Sequence, residues 1–412
     1  MSYSVDLIDA YRGNPLIAAC GDILDEKELA LRISRYPNVP QNMNDIPFEL
    51  RRHMTPSLRQ LHIASPEGLR IAHTIDVTLR QGYAARKPGT SSFFEAFYRN
   101  PPINSQQSAA AVVGISGSGK TAAIEAPLSL YPVYVDHEKM PGYVSGFRQL
   151  IWIKIDAPET GKLVDLASNL MVATDIALNS EHFKHALKKD RKSGPDMFRE
   201  WLGIAQKHAL GLVVIEEIQN LFKLTPLKER RKHKNVDKDK FELRIVEDQT
   251  LKLLLTITNT WRIPIMIAGT HDGLVAFKMR FSTSQRLSAD GYHEIHPPLN
   301  ADDKVFSETI FPTLAKYQWV SNKLTCSDGF RHLVFDLSLG IPRIYINLWI
   351  SAHRVCFDRK EDALTLEHFK DAFDKYMQPL IPALDALRSN DPYRIARYED
   401  LYPRGEDFWA RL

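Results

Sequence analysis

The sequence predicts an α/β fold: a parallel sheet flanked by helices, preceded by a small helical module and followed by a helical lid. Three features point there. The stretch Gly114-Ile115-Ser116-Gly117-Ser118-Gly119-Lys120-Thr121 matches G-x-x-x-x-G-K-T in full and follows the short apolar run Ala109 to Val113. Apolar runs suited to buried parallel strands then alternate with helical patterns as far as about residue 300. After that point only helical patterns remain.

Composition sets the bounds. A chain of 412 residues is too long for one typical core, so a central domain with flanking modules is expected. Hydrophobic residues make up 44% and charged residues 25%, ordinary for a soluble globular protein. The net charge of +3 does not by itself predict a nucleic-acid partner, so any DNA-binding surface must be local. Cys20, Cys326 and Cys356 lie far apart, without metal-ligand spacing, and read as reduced thiols. The N-terminus lacks a basic region followed by an apolar run, and no apolar stretch is long enough to cross a bilayer. A cytoplasmic protein with no membrane partner is the expectation.

Taken in order, residues 1–90 are divided by Pro37, Pro40, Pro47 and Pro56, with helical spacing over Glu26 to Ser34 and Pro66 to Gly82. The core is expected over 91–300. Its strands are Ala109 to Val113, Tyr131 to Val135, Leu150 to Ile155, Leu212 to Ile215 and Ile263 to Ala268, with a short one at Tyr292 to Ile295. Pro141-Gly142 is placed to close a hairpin between the second and third. Helices are expected from Thr121, over Leu163 to Leu178, over Pro195 to Leu210 and over Phe241 to Thr260. The lid, 301–378, holds helical patterns at Asp302 to Leu314, Cys326 to Leu339, Pro342 to Arg354 and Leu366 to Tyr376. A tail rich in Asp, Arg, Tyr and Pro fills 379–412.

The glycine-rich loop has a physical reading. Glycines let backbone N–H groups curl around phosphate oxygens, and the helix that follows adds a favourable dipole. Gly114, Ile115, Ser116, Gly117, Ser118, Gly119, Lys120 and Thr121 are therefore the candidate nucleotide-binding residues. Lys120 should reach the β- and γ-phosphates of ATP, and Thr121 should bind Mg²⁺. About a hundred residues on, Leu212-Val213-Val214-Ile215-Glu216-Glu217 places two carboxylates at the end of an apolar strand. Glu216 is a candidate for the Mg²⁺ shell, and Glu217 for the general base that polarises the attacking water. The first acid in such a pair is usually Asp; Glu216 is one methylene longer, which changes its reach.

Further candidates surround these. Thr270, after the strand Ile263 to Ala268, is placed to sense the γ-phosphate, whereas His271 reads as a loop histidine. Arg280 and Arg286 follow that strand; a planar, always charged guanidinium suits contact with a neighbouring subunit's γ-phosphate, and Arg286 is favoured. In Gly340-Ile341-Pro342-Arg343, the glycine ends one helix and the proline opens the next. That sets the cation of Arg343 at a helix N-terminus, where an anionic ligand would compensate it. The basic segment Lys228 to Lys240 is either a DNA-backbone loop or a solvated insertion. The hairpin residues His137, Lys139 and Arg148 offer a second surface for DNA.

Together, the phosphate loop, acid pair, sensor strand, arginines and lid look like the AAA+ P-loop NTPase fold. Within it, the sequence resembles the TnsC/TniB family of transposition regulators. The resemblance rests on Asn14-Pro15-Leu16-Ile17, Gly82 to Pro88, Tyr131-Pro132 followed by Trp152 to Pro158, and Gly340 to Arg343. It spans about residues 14–356. The resemblance implies an ATPase that assembles with ATP as a homo-oligomeric ring or filament on duplex DNA. It implies that the assembly links a target selector, either a protein or an RNA-guided complex, to the transposase, and that hydrolysis recycles it. Transposase contacts are expected in the N-terminal module or the tail. The alternative is a helicase loader or replication initiator on the same core, although about 35 residues after the lid are too few for a winged-helix domain.

Overall fold

Parallel strands covered on both faces are apolar along nearly their whole length, and three segments fit that pattern. Ala109–Gly114, Leu212–Glu216 and Ile265–Gly269 are buried at every residue, with Val and Ile prominent among them. The structure, a computed structural model, describes residues 1–90, 93, 108–188, 193–221, 254, 263–271, 273, 288–395, 397–398 and 401. They divide into two compact units. The first comprises Met1–Leu29, Glu67–Val113 and Ala123–Glu294, and the second Ala30–Pro66, Gly114–Ala122 and Ile295–Leu412. Both are discontinuous in sequence, so they cut across the four consecutive segments expected above.

The strands in chain order are β1 (Ser2–Tyr3), β2 (Ile23–Leu24), β3 (Ala109–Gly114), β4 (Tyr134–His137), β5 (Phe147–Leu150), β6 (Trp152–Asp156), β7 (Leu212–Glu216), β8 (Ile265–Gly269) and β9 (Gly291–Ile295). The main sheet has the order β6-β7-β8-β3-β9. The pairs β3–β8, β7–β8 and β6–β7 are parallel, with Val113 opposite Gly269, Ile215 opposite Ile267 and Asp156 opposite Glu216. The strand before the phosphate loop and the strand that ends in the acid pair thus flank β8 on its two sides. Each neighbour in the sheet is reached through a crossover, which is why helices alternate with strands in the sequence.

The first unit packs the helices Leu163–Leu178 and Gly194–Lys207 around Leu166, Leu170, Phe198 and Trp201. Ser193 caps the second helix, and the Trp201 indole donates to Thr174 Oγ1 at 2.9 Å. The expected hairpin exists, but its strands are β4 and β5, which pair antiparallel, Tyr134 with Leu150 and His137 with Phe147. Leu150 to Ile155 is not one strand: Ile151 separates β5 from β6, and β6 joins the main sheet. The helix Pro66–Ala84 buries Arg80, whose guanidinium donates to the carbonyls of Cys20, Gly21 and Asp22 and pairs with Asp76 at 2.8 Å. That one residue ties the N-terminal segment down.

The second unit is helical. Its core joins Phe306, Phe311, Phe330, Trp349 and Phe369, carried by elements that include Asp328–Ser338, Pro342–Asp358 and Leu366–Tyr376. The segment expected as a helix from Asp302 starts with a turn and carries a π-helical stretch at Phe306–Ile310. Arg51, 2% exposed, pairs with Asp362 at 2.5 Å and donates to the carbonyls of Met43 and Ile46. The region read as a tail is partly helical, over Ile381–Ser389 and Pro392–Ile395. No single helix among the described residues is long and apolar enough to cross a membrane.

Candidate active site

The phosphate loop and the lid belong to the same unit, so their geometry can be built together. Gly117 and Gly119 have φ of +80° and +97°, conformations that strain any L side chain. A Cβ on Gly117 would also lie 3.2 Å from Arg343 Cβ and 3.3 Å from Ile341 Cγ2. Arg343 reaches the loop through its backbone as well, its N–H donating to Gly117 O at 3.3 Å. The lid motif therefore sits directly against the glycine-rich turn. Pro342 occupies the first turn of the helix Pro342–Asp358, and Leu339 and Gly340, with φ of +52° and +66°, end the helix before it. The local sequence forces the sharp corner that delivers Arg343.

Lys120 opens the helix Lys120–Leu128 and folds back over the loop. Its ammonium donates to Gly114 O at 2.9 Å and Ile115 O at 3.1 Å. The Ser118 hydroxyl is buried and has no hydrogen-bond partner among the described residues. A buried polar atom left over in a glycine-lined turn fits a loop built for an anion. Thr121 is exposed at the start of the helix. Ile115 packs against the main lid cluster and also against the cluster of Ala386, Ile395 and Leu401, so the C-terminal helices touch the loop.

The acid pair and the sensor strand lie in the other unit. Glu216 ends β7 and is 4% exposed. Lys154, on the adjacent β6, places its ammonium 3.6 Å from Glu216 Oε2 and 2.6 Å from Glu125 Oε1. Burial disfavours the charged ammonium, but Glu125 and Glu216 outweigh it and hold the Lys154 pKa above its usual value. Glu217 leaves the strand in a left-handed conformation, with φ +52° and ψ +40°, and is exposed. Its carboxylate accepts from the side-chain amide of Gln219. The Gln219 amide oxygen in turn accepts from the Thr270 N–H at 3.3 Å. Thr270 is buried, and its hydroxyl has no hydrogen-bond partner among the described residues. His271, expected in a loop, is helical and sits 3.3 Å from Glu294.

Among the described residues no group of three or more His, Cys, Asp or Glu is placed to hold a metal ion. A Mg²⁺ here would draw its ligands from the Thr121 hydroxyl, from water and from the nucleotide itself, which suits a hard cation that keeps its waters.

Arg280, Arg286 and the basic segment Lys228 to Lys240 lie outside the described residues, as does the expected helix Phe241 to Thr260 apart from Leu254. In the hairpin Lys139 is exposed, and Arg148 and His137 engage neighbours within the fold. Arg148 chelates Asp136 through Nε at 2.6 Å and Nη2 at 2.7 Å, donates to Leu178 O, and lies over the Tyr134 ring. His137 pairs with Gln149 at 2.8 Å.

Lys154 and Gln219 are the residues that the sequence reading passed over. Lys154 stands out only as a lysine between two isoleucines in the strand beside the acid pair. Gln219 is signalled only by its place two residues after Glu217.

An AAA domain model matches residues 103–275, from just before β3 through the phosphate loop and acid pair to the end of the sensor strand. No curated protein matches the chain. Solved structures similar to it include a Walker-type ATPase of Pyrococcus abyssi, at 16% identity and a TM-score of 0.39, covering 69% of this chain and 72% of that one. The ORC1 protein of Aeropyrum pernix in complex with DNA is similar at 15% identity and a TM-score of 0.44, covering 79% and 67%. The ORC2 protein of Aeropyrum pernix is similar at 13% identity and a TM-score of 0.45, covering 85% and 84%. The phosphate loop, the parallel sheet in the order β6-β7-β8-β3-β9 and the match over 103–275 together show that the chain carries an AAA domain and has the AAA+ P-loop fold.

Proposed function

We propose that this chain is a Mg²⁺-dependent ATPase that assembles on duplex DNA and regulates transposition. The observation that carries the ATPase reading is the seating of Arg343 on Gly117 through its backbone N–H and Cβ, which sets a lid arginine beside a phosphate-type loop. In this reading the loop from Gly114 to Thr121 binds the triphosphate, and Lys120 leaves the Gly114 and Ile115 carbonyls for its phosphates. Thr121 would hold Mg²⁺, which would neutralise charge that develops on the phosphate oxygens. Glu216 orders the metal's water, Glu217 takes the proton of the attacking water, and Thr270 orients that water. Arg343 contacts the nucleotide from the lid, and Arg286 or Arg280 does so from a neighbouring protomer.

The DNA and transposition parts are supported by the family-like segments, several of which have structural jobs. Asn14 caps the helix Pro15–Ala18 and donates to Tyr83 O at 2.9 Å, so two of these segments meet. Target selector and transposase are the partners this reading requires, with homo-oligomeric assembly between them. Fluorescence anisotropy of a random-sequence duplex, titrated with protein under ATP, ADP or no nucleotide at two salt concentrations, tests it. Tight, salt-sensitive binding that needs ATP is expected. Binding that ignores nucleotide, or no binding, would overturn the DNA-assembling reading and favour a helicase-loader role or a scaffold without DNA.

A further inference from the structure

We infer that Gln219 is a positioning residue for hydrolysis: it aims the Glu217 carboxylate and ties that aim to the end of the sensor strand at Thr270. The inference rests on the reading of Glu217 as general base.

Three observations support it. The Gln219 carboxamide is used on both sides, its NH₂ donating to Glu217 and its oxygen accepting from the Thr270 N–H. A carboxylate only accepts and a backbone N–H only donates, so one orientation of the amide satisfies both. Glu217 itself stands in a left-handed backbone conformation that a non-glycine residue rarely adopts. Such a conformation persists where its surroundings hold it, and the amide of Gln219 is one such hold. Space for this side chain is made by two glycines. A Cβ on Gly269 would lie 2.6 Å from the Gln219 amide oxygen, and one on Gly273 would lie 2.7 Å from Gln219 Cα and Cβ. Alanine at either position would displace the glutamine.

The chemistry follows. An exposed glutamate on a turn has many rotamers, and few of them present an oxygen to the attacking water. Donation from Gln219 selects one. Because the same amide is anchored at Thr270, a shift of the sensor strand moves the base with it.

The test is steady-state ATP turnover and nucleotide binding by the full chain in four forms: wild type, Gln219→Ala, Glu217→Gln and the double variant. Gln219→Ala is expected to lower kcat by about 10- to 100-fold, with KM and nucleotide Kd changed by less than about threefold. In the Glu217→Gln background, Gln219→Ala should cost nothing more. Gln219→Glu provides a near-isosteric check: it keeps the acceptor for Thr270, loses the donor and adds a like charge, so its kcat should fall at least as far. A Gln219→Ala enzyme with wild-type kcat, beside an inactive Glu217→Gln enzyme, overturns this inference and leaves the base assignment standing. A Gln219→Ala loss that persists undiminished in the double variant also overturns it, by showing a merely structural role. Wild-type turnover in Glu217→Gln overturns the base assignment and this inference together.

Discussion

Lys154 and Glu216 form an ion pair across neighbouring strands at 3.6 Å, with only 23% and 6% of their side chains exposed. Glu216 is therefore a buried carboxylate whose charge is matched from within the protein. Removing one member of such a pair strands the other. Lys154→Met and Glu216→Gln should each destabilise the fold, and the double variant should be more stable than the sum of the two losses predicts. A coupling of about 1 to 3 kcal/mol is expected from urea denaturation of the four proteins. Strict additivity would show that the two charges do not sense each other.

Gly117 gives the sharpest prediction for the phosphate loop. With φ at +80° and Arg343 Cβ 3.2 Å from where its own Cβ would stand, Gly117→Ala must both strain the turn and push the lid motif away. Affinity for a fluorescent ATP analogue should drop by at least about tenfold, a change of about 1.4 kcal/mol. Unaltered affinity would mean that the loop does not form the nucleotide site as drawn here.

His353 predicts a pH dependence of the helical unit. It is fully buried, lies 2.8 Å from Trp349 O through Nδ1, and accepts from the Trp319 N–H at 3.1 Å. Burial pushes its pKa down from 6.5 to about 4, against the opposing pull of the Trp349 carbonyl. The folded protein thus keeps a neutral ring where the unfolded chain takes up a proton. Stability is full above pH 6.5 and declines as the pH falls towards the folded value, by a total of about 3 kcal/mol. His353→Gln keeps an acceptor for Trp319 without a titrating ring. Between pH 7.5 and pH 5 its unfolding free energy should fall less than that of wild type by about 2 kcal/mol. Equal losses in the two proteins would contradict the assignment.

Much of the architecture was legible because burial dictates composition. β3, β7 and β8 are covered on both faces and read as uninterrupted apolar runs, and Leu163–Leu178 and Leu366–Tyr376 were located to the residue. The boundary between β5 and β6 was not legible, because Leu150, Ile151 and Ile153 are all buried and hydrophobicity runs on across the break. Arg343 was legible from the glycine and proline that flank it. The bonds of Lys154 and Gln219 were not, since they join residues 62 and 51 positions away, to Glu216 and Thr270, and no local pattern encodes such a partner. Arg148 is alike in this: its partner Asp136 lies in register on the opposite strand of the hairpin, a pairing set by the fold and not by a local pattern.

ATP turnover by the wild-type chain, Lys120→Ala and Glu217→Gln, with nucleotide binding followed in parallel, tests the account most directly. Wild type should hydrolyse ATP with Mg²⁺, and Lys120→Ala should lose both binding and turnover. Glu217→Gln should keep binding while its turnover falls by about 10²- to 10⁴-fold. Wild-type turnover in Glu217→Gln, or nucleotide binding unchanged in Lys120→Ala, would contradict it.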